Sequence, residues 1–240
     1  MRIATVFVLA SLLIGCNDQT VDEITSLRVP EELLIDGDGS DWPVKSSILY
    51  VYDREIDQGG KKRVLSDNRI GCRSLWTDKY LYLLFEVQDK HLNASQTDHD
   101  HAKLYLDDMV EFLIDPDKDA TALWLPDDLI YHINILGTVK DDRGTLEGDR
   151  NVAWNGSAHH ALGIRGTVND DSDLDEGYRL EVAVPWEEIG RVPTEGLTMG
   201  FNFANGDHDG KGRQLFDLRS AWPMRTPNQF GIIKLVKGDV

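Results

Sequence analysis

Apolar and polar residues alternate along much of this chain with a period of two. In the segment from Tyr80 to Val87, every second residue from Leu81 onward is leucine, phenylalanine or valine. Alternation over six to eight residues is typical of a β-strand with one face in a core. The same period recurs in Asp108–Asp115, Tyr131–Leu136, Arg179–Val184, Thr198–Ala204 and Phe230–Val236.

The segments between these strands are rich in turn-forming residues. Asp36–Gly39 and Asn205–Asp207 combine glycine with aspartate or asparagine, which favour tight turns. The one helical candidate is short, Trp186–Ile189 after Pro185. The pattern predicts an all-β fold, a two-sheet antiparallel β-sandwich of jelly-roll type with at most short helices.

The first residues form a different kind of segment. Arg2 precedes an apolar run from Ile3 to Ile14, which is much shorter than the ~20 residues that a membrane-spanning helix needs. The run ends in Leu-Ile-Gly-Cys at positions 13–16, which resembles a bacterial lipobox. We therefore predict a lipoprotein signal peptide over residues 1–15 and lipidation of Cys16. The alternative is an ordinary signal peptide followed by a chance cysteine.

These features predict the domain organisation and the location of the chain. Residues 16–28 are expected to be a lipidated tether, and residues 29–240 a single β-sandwich domain. The protein would be exported and lipid-anchored to a bacterial membrane, the outer one if there are two. The domain would then lie in the periplasm or at the cell surface.

The charge balance narrows the choice of partners. Lysine and arginine number 25 against 42 aspartates and glutamates, which gives a net charge of −17. Such a charge disfavours nucleic acid and anionic lipid surfaces, so the membrane is expected to be contacted only through the lipid anchor. Once Cys16 is lipidated, Cys72 has no cysteine to pair with, and the domain must rely on its core or on metal ions for stability.

Six short motifs occur in an order that matches a known family. They are Ile35-Asp36-Gly37 with Asp41-Trp42, Leu75–Tyr82, Asp108–Phe112, Glu181–Trp186, Gly200–Phe203 and Phe230-Gly231. Together they resemble carbohydrate-binding module family 9, over almost the whole length from Leu33 to Val236. In that family Trp42, Trp76 and Trp186 belong to framework motifs, so the resemblance implies structural roles for them.

The resemblance also implies a sugar-binding site. Members of the family stack a sugar ring between two aromatic side chains and hydrogen-bond its hydroxyls, because a pyranose has apolar C–H faces and a polar edge. Trp222 matches the later stacking tryptophan, and Tyr105 stands where the first is usual. Glu111 and Asn134 match hydroxyl-binding positions, while His132 replaces an arginine. Strand alternation puts the last three opposite the apolar face, where the alternative is a plain solvated surface.

Two further tryptophans, Trp124 and Trp154, match no framework motif. Each is expected in a loop, where it could extend a binding platform or cover the core.

Acidic turns suggest calcium. Asp36, Asp38 and Asp41 form one cluster of oxygen ligands, and a second cluster consists of Asn205, Asp207 and Asp209. Closely spaced oxygen ligands suit Ca²⁺, which also occurs structurally in the resembled family. The alternative is an acidic surface loop. The runs Asp98–His101 and His159-His160 could bind a transition metal, but no spaced partner accompanies them, and we interpret both as solvated loops.

The predicted function is non-catalytic binding of a glycan or oligosaccharide in its capture or degradation. One alternative is a glycoside hydrolase or a hydrolase-associated subunit, although only Glu111 offers a carboxylate near the aromatic pair. Another is an adhesion or assembly module that binds a surface protein. A haem-binding relative would need axial ligands such as Met109 or Met199 with His132, and nothing else supports it.

Overall fold

The computed structural model describes residues 23–43, 49–52, 68–208, 214–217 and 226–238. This part of the chain contains thirteen β-strands and one short α-helix, α1. Their bounds are β1 Glu23–Arg28, β2 Leu49–Tyr52, β3 Arg69–Trp76, β4 Tyr80–Gln88, β5 Met109–Asp115, β6 Leu129–Asn134, β7 Val139–Gly144, β8 Arg150–Asn151, β9 His159–Arg165, β10 Gly177–Pro185, α1 Trp186–Ile189, β11 Thr198–Asp207, β12 Gln214–Asp217 and β13 Gly231–Val236.

The strands form one continuous hydrogen-bonded sheet that folds back on itself. Its order is β8-β7-β6-β5-β11-β13-β1-β3-β4-β10-β9, with β12 on β11 and β2 on β3. The two halves of this path face each other across a shared core. The ring of Phe85 on β4 lies 5.9 Å from that of Phe112 on β5 and 5.8 Å from that of Phe203 on β11. The predicted all-β sandwich is confirmed.

β1 joins the two halves and lies before residue 29, the predicted start of the domain. It pairs in parallel with both β13 and β3, whereas the other pairings are antiparallel. Ile24 is 2% exposed, and the Ser74 hydroxyl donates to the Ser26 hydroxyl at 2.9 Å. Residues 23–28 are therefore part of the fold rather than the end of a tether. The alternation in β1 covers only six residues, which is too short to distinguish the strand from the polar residues around it.

β11 also differs from expectation, since it continues through Asn205-Gly206-Asp207, which was predicted to be a turn. Asn205 is fully buried; its side-chain oxygen accepts from the Tyr178 hydroxyl at 2.7 Å and its amide donates to Asn68 at 2.8 Å. Because these partners satisfy the amide, the polar residues can remain in a strand.

The short helix α1 lies where it was predicted. Pro185 precedes it, and Gly190 ends it with φ of +74°, a left-handed conformation that glycine adopts without strain. The Trp186 indole donates to the carbonyl of Thr77 at 2.9 Å, which fixes α1 against the loop between β3 and β4. Among the residues described, no helix is long and apolar enough to span a membrane.

Candidate functional site

The centre of the predicted site lies on the β5–β6 hairpin. The register places Glu111 directly opposite His132, with 3.2 Å between the Glu111 Oε1 and His132 Nε2 atoms. Glu111 is 2% exposed and His132 is 4% exposed. The two side chains form a buried pair rather than the plain solvated surface of the alternative, and His132 is one of the residues that line a pocket.

That pocket has a volume of about 230 Å³, which is below the roughly 300–1,000 Å³ of pockets for drug-sized ligands and so suits only a small ligand. Tyr105, which is 40% exposed, contributes an aromatic wall. It is carried by a 3₁₀ turn, Leu104–Leu106, whose Leu104 side chain is buried and anchors the turn. The lining consists of Ala102, Leu104, Tyr105, His132, Lys140 and Arg150.

Both basic side chains of this pocket, Lys140 and Arg150, form salt bridges with the buried carboxylate of Asp142. Lys140 Nζ lies 2.8 Å from one oxygen of Asp142, and an Arg150 nitrogen lies 2.9 Å from the other. The Asp142 carboxylate is fully buried, while Lys140 and Arg150 keep 20% and 32% of their side-chain surface exposed. The acid fixes both cations in place, and their remaining N–H donors are available to a ligand.

Asn134 does not contribute to this pocket. It is fully buried, and its amide donates to the carbonyl of Gln96 and to Asp107, both at 2.8 Å. Its oxygen accepts from the backbone amides of Leu136 and Thr138. These bonds use the hydrogen-bonding capacity of the side chain, so the structure does not favour its predicted role in binding a sugar hydroxyl. Asn134 instead closes the turn after β6.

The two unassigned tryptophans cover parts of the core. Trp124 is 8% exposed and packs against Phe230, with 6.0 Å between the ring centroids. Trp154 packs edge-on against Tyr131 at 5.9 Å, and the guanidinium of Arg143 lies 5.7 Å from its ring. Both rings are engaged by protein side chains, which favours the structural alternative over the binding platform.

Three residues of the sequence prediction lie outside the described residues: Cys16, Asp209 and Trp222. The predicted lipidation, the last ligand of the second acidic turn and the second stacking ring therefore stay predictions.

Two of the larger depressions on the described surface provide a comparison with the Tyr105 pocket. One, of about 520 Å³, is lined by residues such as Arg28, Asp78 and Lys237 and has no aromatic ring in its described lining. The other, of about 400 Å³, lies beside Tyr80 and His159, whose rings are 6.1 Å apart. Since it contains an accessible tyrosine, it is the natural comparison for the Tyr105 pocket.

The first acidic turn has a structural role. Asp36 accepts from the amide of Asp38 at 2.9 Å, and Asp41 accepts from the amide of Leu34 at 3.0 Å. Asp36, Asp38 and Asp41 are all exposed. The described carboxylates and imidazoles that gather within 4.8 Å of one another lie elsewhere, so the structure does not favour the predicted ligand set of this turn.

Asp207, from the second predicted set, gathers with different partners. Its oxygens lie within 4.8 Å of those of Asp89 and Asp108, and all three residues are buried. Burial, together with the charge of Asp89, raises the pKa of Asp108 to about 8. The side-chain oxygen of Asn205 accepts from the Tyr178 hydroxyl at 2.7 Å.

A further acidic cluster lies at the far end of the β5–β6 hairpin. The carboxylates of Asp115, Asp127 and Asp128 lie within 4.8 Å of one another. Asp115 and Asp128 are almost completely buried, and one oxygen of each has no hydrogen-bond partner. Burial and the neighbouring carboxylates raise the pKa of Asp128 to about 8. Such oxygens suit a hard cation.

The sheet folds back into a sandwich, and the sandwich carries a small pocket. This combination is typical of the class of β-sandwich domains that bind small ligands. Residues 53–238 match the model of the family described as carbohydrate family 9 binding domain-like. The chain belongs to this family.

The curated relatives are much longer enzymes. Endo-1,4-beta-xylanase A of Thermoanaerobacterium saccharolyticum is 30% identical over 141 residues, which are 58% of this chain and 10% of the relative. Endo-1,4-beta-xylanase A of Thermotoga maritima is 26% identical over 170 residues, 69% of this chain and 14% of the relative. The chain thus spans only a small fraction of the length of these relatives.

Two solved structures have the same fold. Both are of a carbohydrate binding module family 9 from Caldicellulosiruptor kristjanssonii. The complex with cellotriose superposes with a TM-score of 0.68 at 21% identity, covering 90% of this chain and 95% of that chain. The complex with glucose gives a TM-score of 0.67 at 22% identity, covering 91% and 98%.

Sequence reasoning missed the cationic side of the pocket. Lys140 and Asp142 are two residues apart and therefore lie on the same face of β7. Arg150 lies on β8, which pairs with β7. The signal was the short run Val-Lys-Asp-Asp-Arg, whose period-two placement of Lys140 and Asp142 could have indicated a polar strand face.

Proposed function

We propose that this chain is a non-catalytic carbohydrate-binding domain that holds one pyranose ring in the Tyr105 pocket. The observation that carries the proposal is the pocket itself, in which the partly exposed Tyr105 lies beside polar donors in a member of a carbohydrate-binding family. Tyr105 would stack on the C–H face of the ring, and Lys140, Arg150 and His132 would hydrogen-bond its hydroxyls.

Preorganisation supports the same role. Lys140 and Arg150 would otherwise lose side-chain freedom when they bind a ligand, which weakens affinity. Asp142 already holds both of them in the free protein. The pocket therefore needs little rearrangement to receive a sugar.

A binding role without catalysis fits the distribution of carboxylates. Glycoside hydrolysis needs two carboxyl groups flanking the scissile bond, roughly 5–9.5 Å apart. None of the described residues that line the pocket is acidic, and Glu111 lies behind His132 at 2% exposure. This arrangement favours binding over a hydrolase. The related module was solved with cellotriose and with glucose, so these are the first ligands to test.

Titration calorimetry with glucose, cellotriose and a broader glycan panel tests the proposal. Tyr105→Ala should weaken the binding of any sugar ligand by about tenfold, since it removes a stacking ring. Tyr80→Ala, in the larger depression, is the matched control and should leave affinity unchanged. Failure of every glycan to bind at millimolar concentration would refute the sugar-binding role. If only Tyr80→Ala lost binding, the sugar-binding site would be the depression beside Tyr80 rather than the Tyr105 pocket.

The sequence around Cys16 further supports a lipid anchor on the exported chain. Metabolic labelling with a radioactive fatty acid should mark the wild-type protein, while Cys16→Ser should be unlabelled and should be released from the membrane fraction. The released variant should bind sugar with the wild-type affinity. Labelling of Cys16→Ser would contradict the assignment.

We also propose structural Ca²⁺ binding at the cluster of Asp115, Asp127 and Asp128. The two unpartnered buried oxygens support it, because a cation would compensate carboxylates that are otherwise costly to bury. Calcium should raise the melting temperature of chelator-treated protein, and Asp115→Asn should reduce that rise. An unchanged melting temperature on adding calcium would contradict the proposal.

A further inference from the structure

The tertiary structure supplies a partner for the run Asp98-His99-Asp100-His101. This run precedes the 3₁₀ turn that carries Tyr105. The amide of Asp100 donates to the carbonyl of Val139 at 3.0 Å, which places the loop alongside the start of β7. Asp100 has φ of +58°, so the chain turns sharply at this residue.

Asp141 on β7 is the side chain that the loop meets. It is 1% exposed. One of its oxygens accepts from the amide of Gly156 at 2.8 Å, while the other is buried and has no hydrogen-bond partner. A buried carboxylate oxygen without a partner costs free energy, so the site favours a ligand that compensates it.

His99 and Asp100 lie close to the Asp141 carboxylate. One ligand atom each of His99, Asp100 and Asp141 lie within 4.8 Å of one another, and the His99 Nδ1 to Asp100 Oδ2 distance is 3.2 Å. Burial is the main cause that raises the pKa of Asp141, and the charges of Asp100 and Glu188 act in the same direction. The surroundings are thus negative, apart from the imidazole of His99.

We propose that His99, Asp100 and Asp141 form a binding site for one divalent transition-metal ion, such as Zn²⁺. An imidazole nitrogen with two carboxylates is a ligand set for zinc and its neighbours, whereas calcium prefers oxygen ligands alone. Three protein ligands leave a coordination position for water. This inference does not depend on sugar binding.

The geometry allows the ligands to close around an ion. Ligand atoms of a tetrahedral zinc site are about 3.3 Å apart. The 3.2 Å between His99 Nδ1 and Asp100 Oδ2 already matches that spacing. His99 and Asp100 keep 50% and 30% of their side-chain surface exposed, which leaves them free to adjust. Asp141 is fixed by β7 and by Gly156, and it would serve as the immobile ligand.

The site is distinct from the sugar pocket. Lys140 and Asp142, which form the cationic wall, alternate on β7 with Asp141, so Asp141 is on the opposite face of the strand. A bound ion would tie residues 99 and 100 to β7, only a few positions before Tyr105.

Calorimetry of the untagged full chain with Zn²⁺ tests the proposal. Excess calcium is added to the buffer to compete for the clusters that have only oxygen ligands. The measured Zn²⁺ binding then reports on the site that includes His99. We expect one equivalent of Zn²⁺ to bind, His99→Ala and Asp141→Asn each to weaken binding by at least about tenfold, and His101→Ala to have no effect. His101 is the matched control, since it belongs to the same loop.

A spectroscopic measurement keeps the test valid if Asp141→Asn is unstable. Co²⁺ in the wild-type chain should give the visible absorption bands of a low-coordinate site, and His99→Ala should lose them while retaining its circular dichroism. Absence of Zn²⁺ binding would overturn the proposal. Equal effects of His99→Ala and His101→Ala would also overturn it, because they would indicate adventitious binding to loop histidines.

Discussion

Glu181 organises the opening turn of the domain. Its buried carboxylate accepts from the Trp42 indole at 2.8 Å and from the backbone amides of Asp36 and Gly37 at 3.0 and 2.6 Å. Gly37 has φ of +85°, and a Cβ there would lie 2.5 Å from the Leu162 backbone. The turn thus needs both a glycine and a buried acceptor, and one residue supplies the acceptor for three donors.

Replacing Glu181 by glutamine should lower the free energy of unfolding by about 2 kcal/mol, because three charge-assisted hydrogen bonds become weaker and one oxygen becomes a donor. Denaturant unfolding measures the change. Glu187→Gln is the control, since Glu187 is exposed on α1, and it should be neutral. Equal stability of the two variants would contradict the role of Glu181.

Asp128 should make stability depend on pH. Its pKa is raised from 3.8 to about 8 in the folded state by burial and by Asp115, Asp127 and Asp119. Between these values the folded state binds more protons than the unfolded state, so stability falls as pH rises through this window. Asp128→Asn should flatten the profile by on the order of a few kcal/mol.

Unfolding measured from pH 4 to 8 in a chelator checks this prediction, because bound calcium would otherwise compensate the ionised form. Asp171→Asn, in an exposed loop, is the control and should keep the wild-type profile. Stability that rises with pH in the chelator would show that Asp128 does not titrate in this way.

At the scale of elements, β1 carries more of the fold than its six residues suggest. It connects β13 with β3 and so closes the path between the two halves of the sheet. The pairing is parallel on both sides, which local hairpins cannot provide. The strand therefore depends on partners far away in the sequence, and its docking is a long-range event.

Ile24→Ala should lower the free energy of unfolding by about 2–4 kcal/mol, since Ile24 is buried in the core shared by the two halves. If Ile24 belonged to a tether outside the fold, the substitution would leave the free energy of unfolding unchanged. Leu34→Ala is the matched control, because Leu34 is 67% exposed, and it should change stability little. Denaturant titration followed by tryptophan fluorescence distinguishes the outcomes.

At the scale of the whole molecule, Cys72 can report on global unfolding. The thiol is fully buried in the core shared by both halves of the sheet, and burial raises its pKa well above the usual value. A protonated, buried thiol reacts slowly with disulfide reagents. The Cys16→Ser variant keeps Cys72 as its one cysteine. Labelling of Cys72 in this variant should therefore require opening of the sandwich.

The rate of that labelling should rise with denaturant as steeply as global unfolding does. A thiol-reactive chromogenic reagent measures it, and complete labelling in strong denaturant is the positive control. A fast rate that is insensitive to denaturant would mean that β3 opens locally, and it would contradict a single cooperative unit.

The sequence predicted six of the thirteen described strands, because β4, β5, β6, β10, β11 and β13 combine strict alternation with a length of six or more residues. The other seven strands are shorter, more polar or less strictly alternating. The prediction failed for β1 and for the end of β11, where polar residues are satisfied by distant partners such as Ser74 and Tyr178. Local pattern cannot show such partners. For the same reason, Asn134 looked available to a ligand although its hydrogen bonds are used internally.

The amino-acid sequence by itself determined the class of fold, the family resemblance and the positions of Tyr105 and His132, because these depend on periodicity and on short motifs. Only the tertiary structure decided which polar groups meet. It paired Glu111 with His132, fixed Lys140 and Arg150 on Asp142, and brought Asp141 to His99 and Asp100. Those contacts join positions far apart in the chain or on different strands, so strand register and loop docking, rather than local sequence, control them.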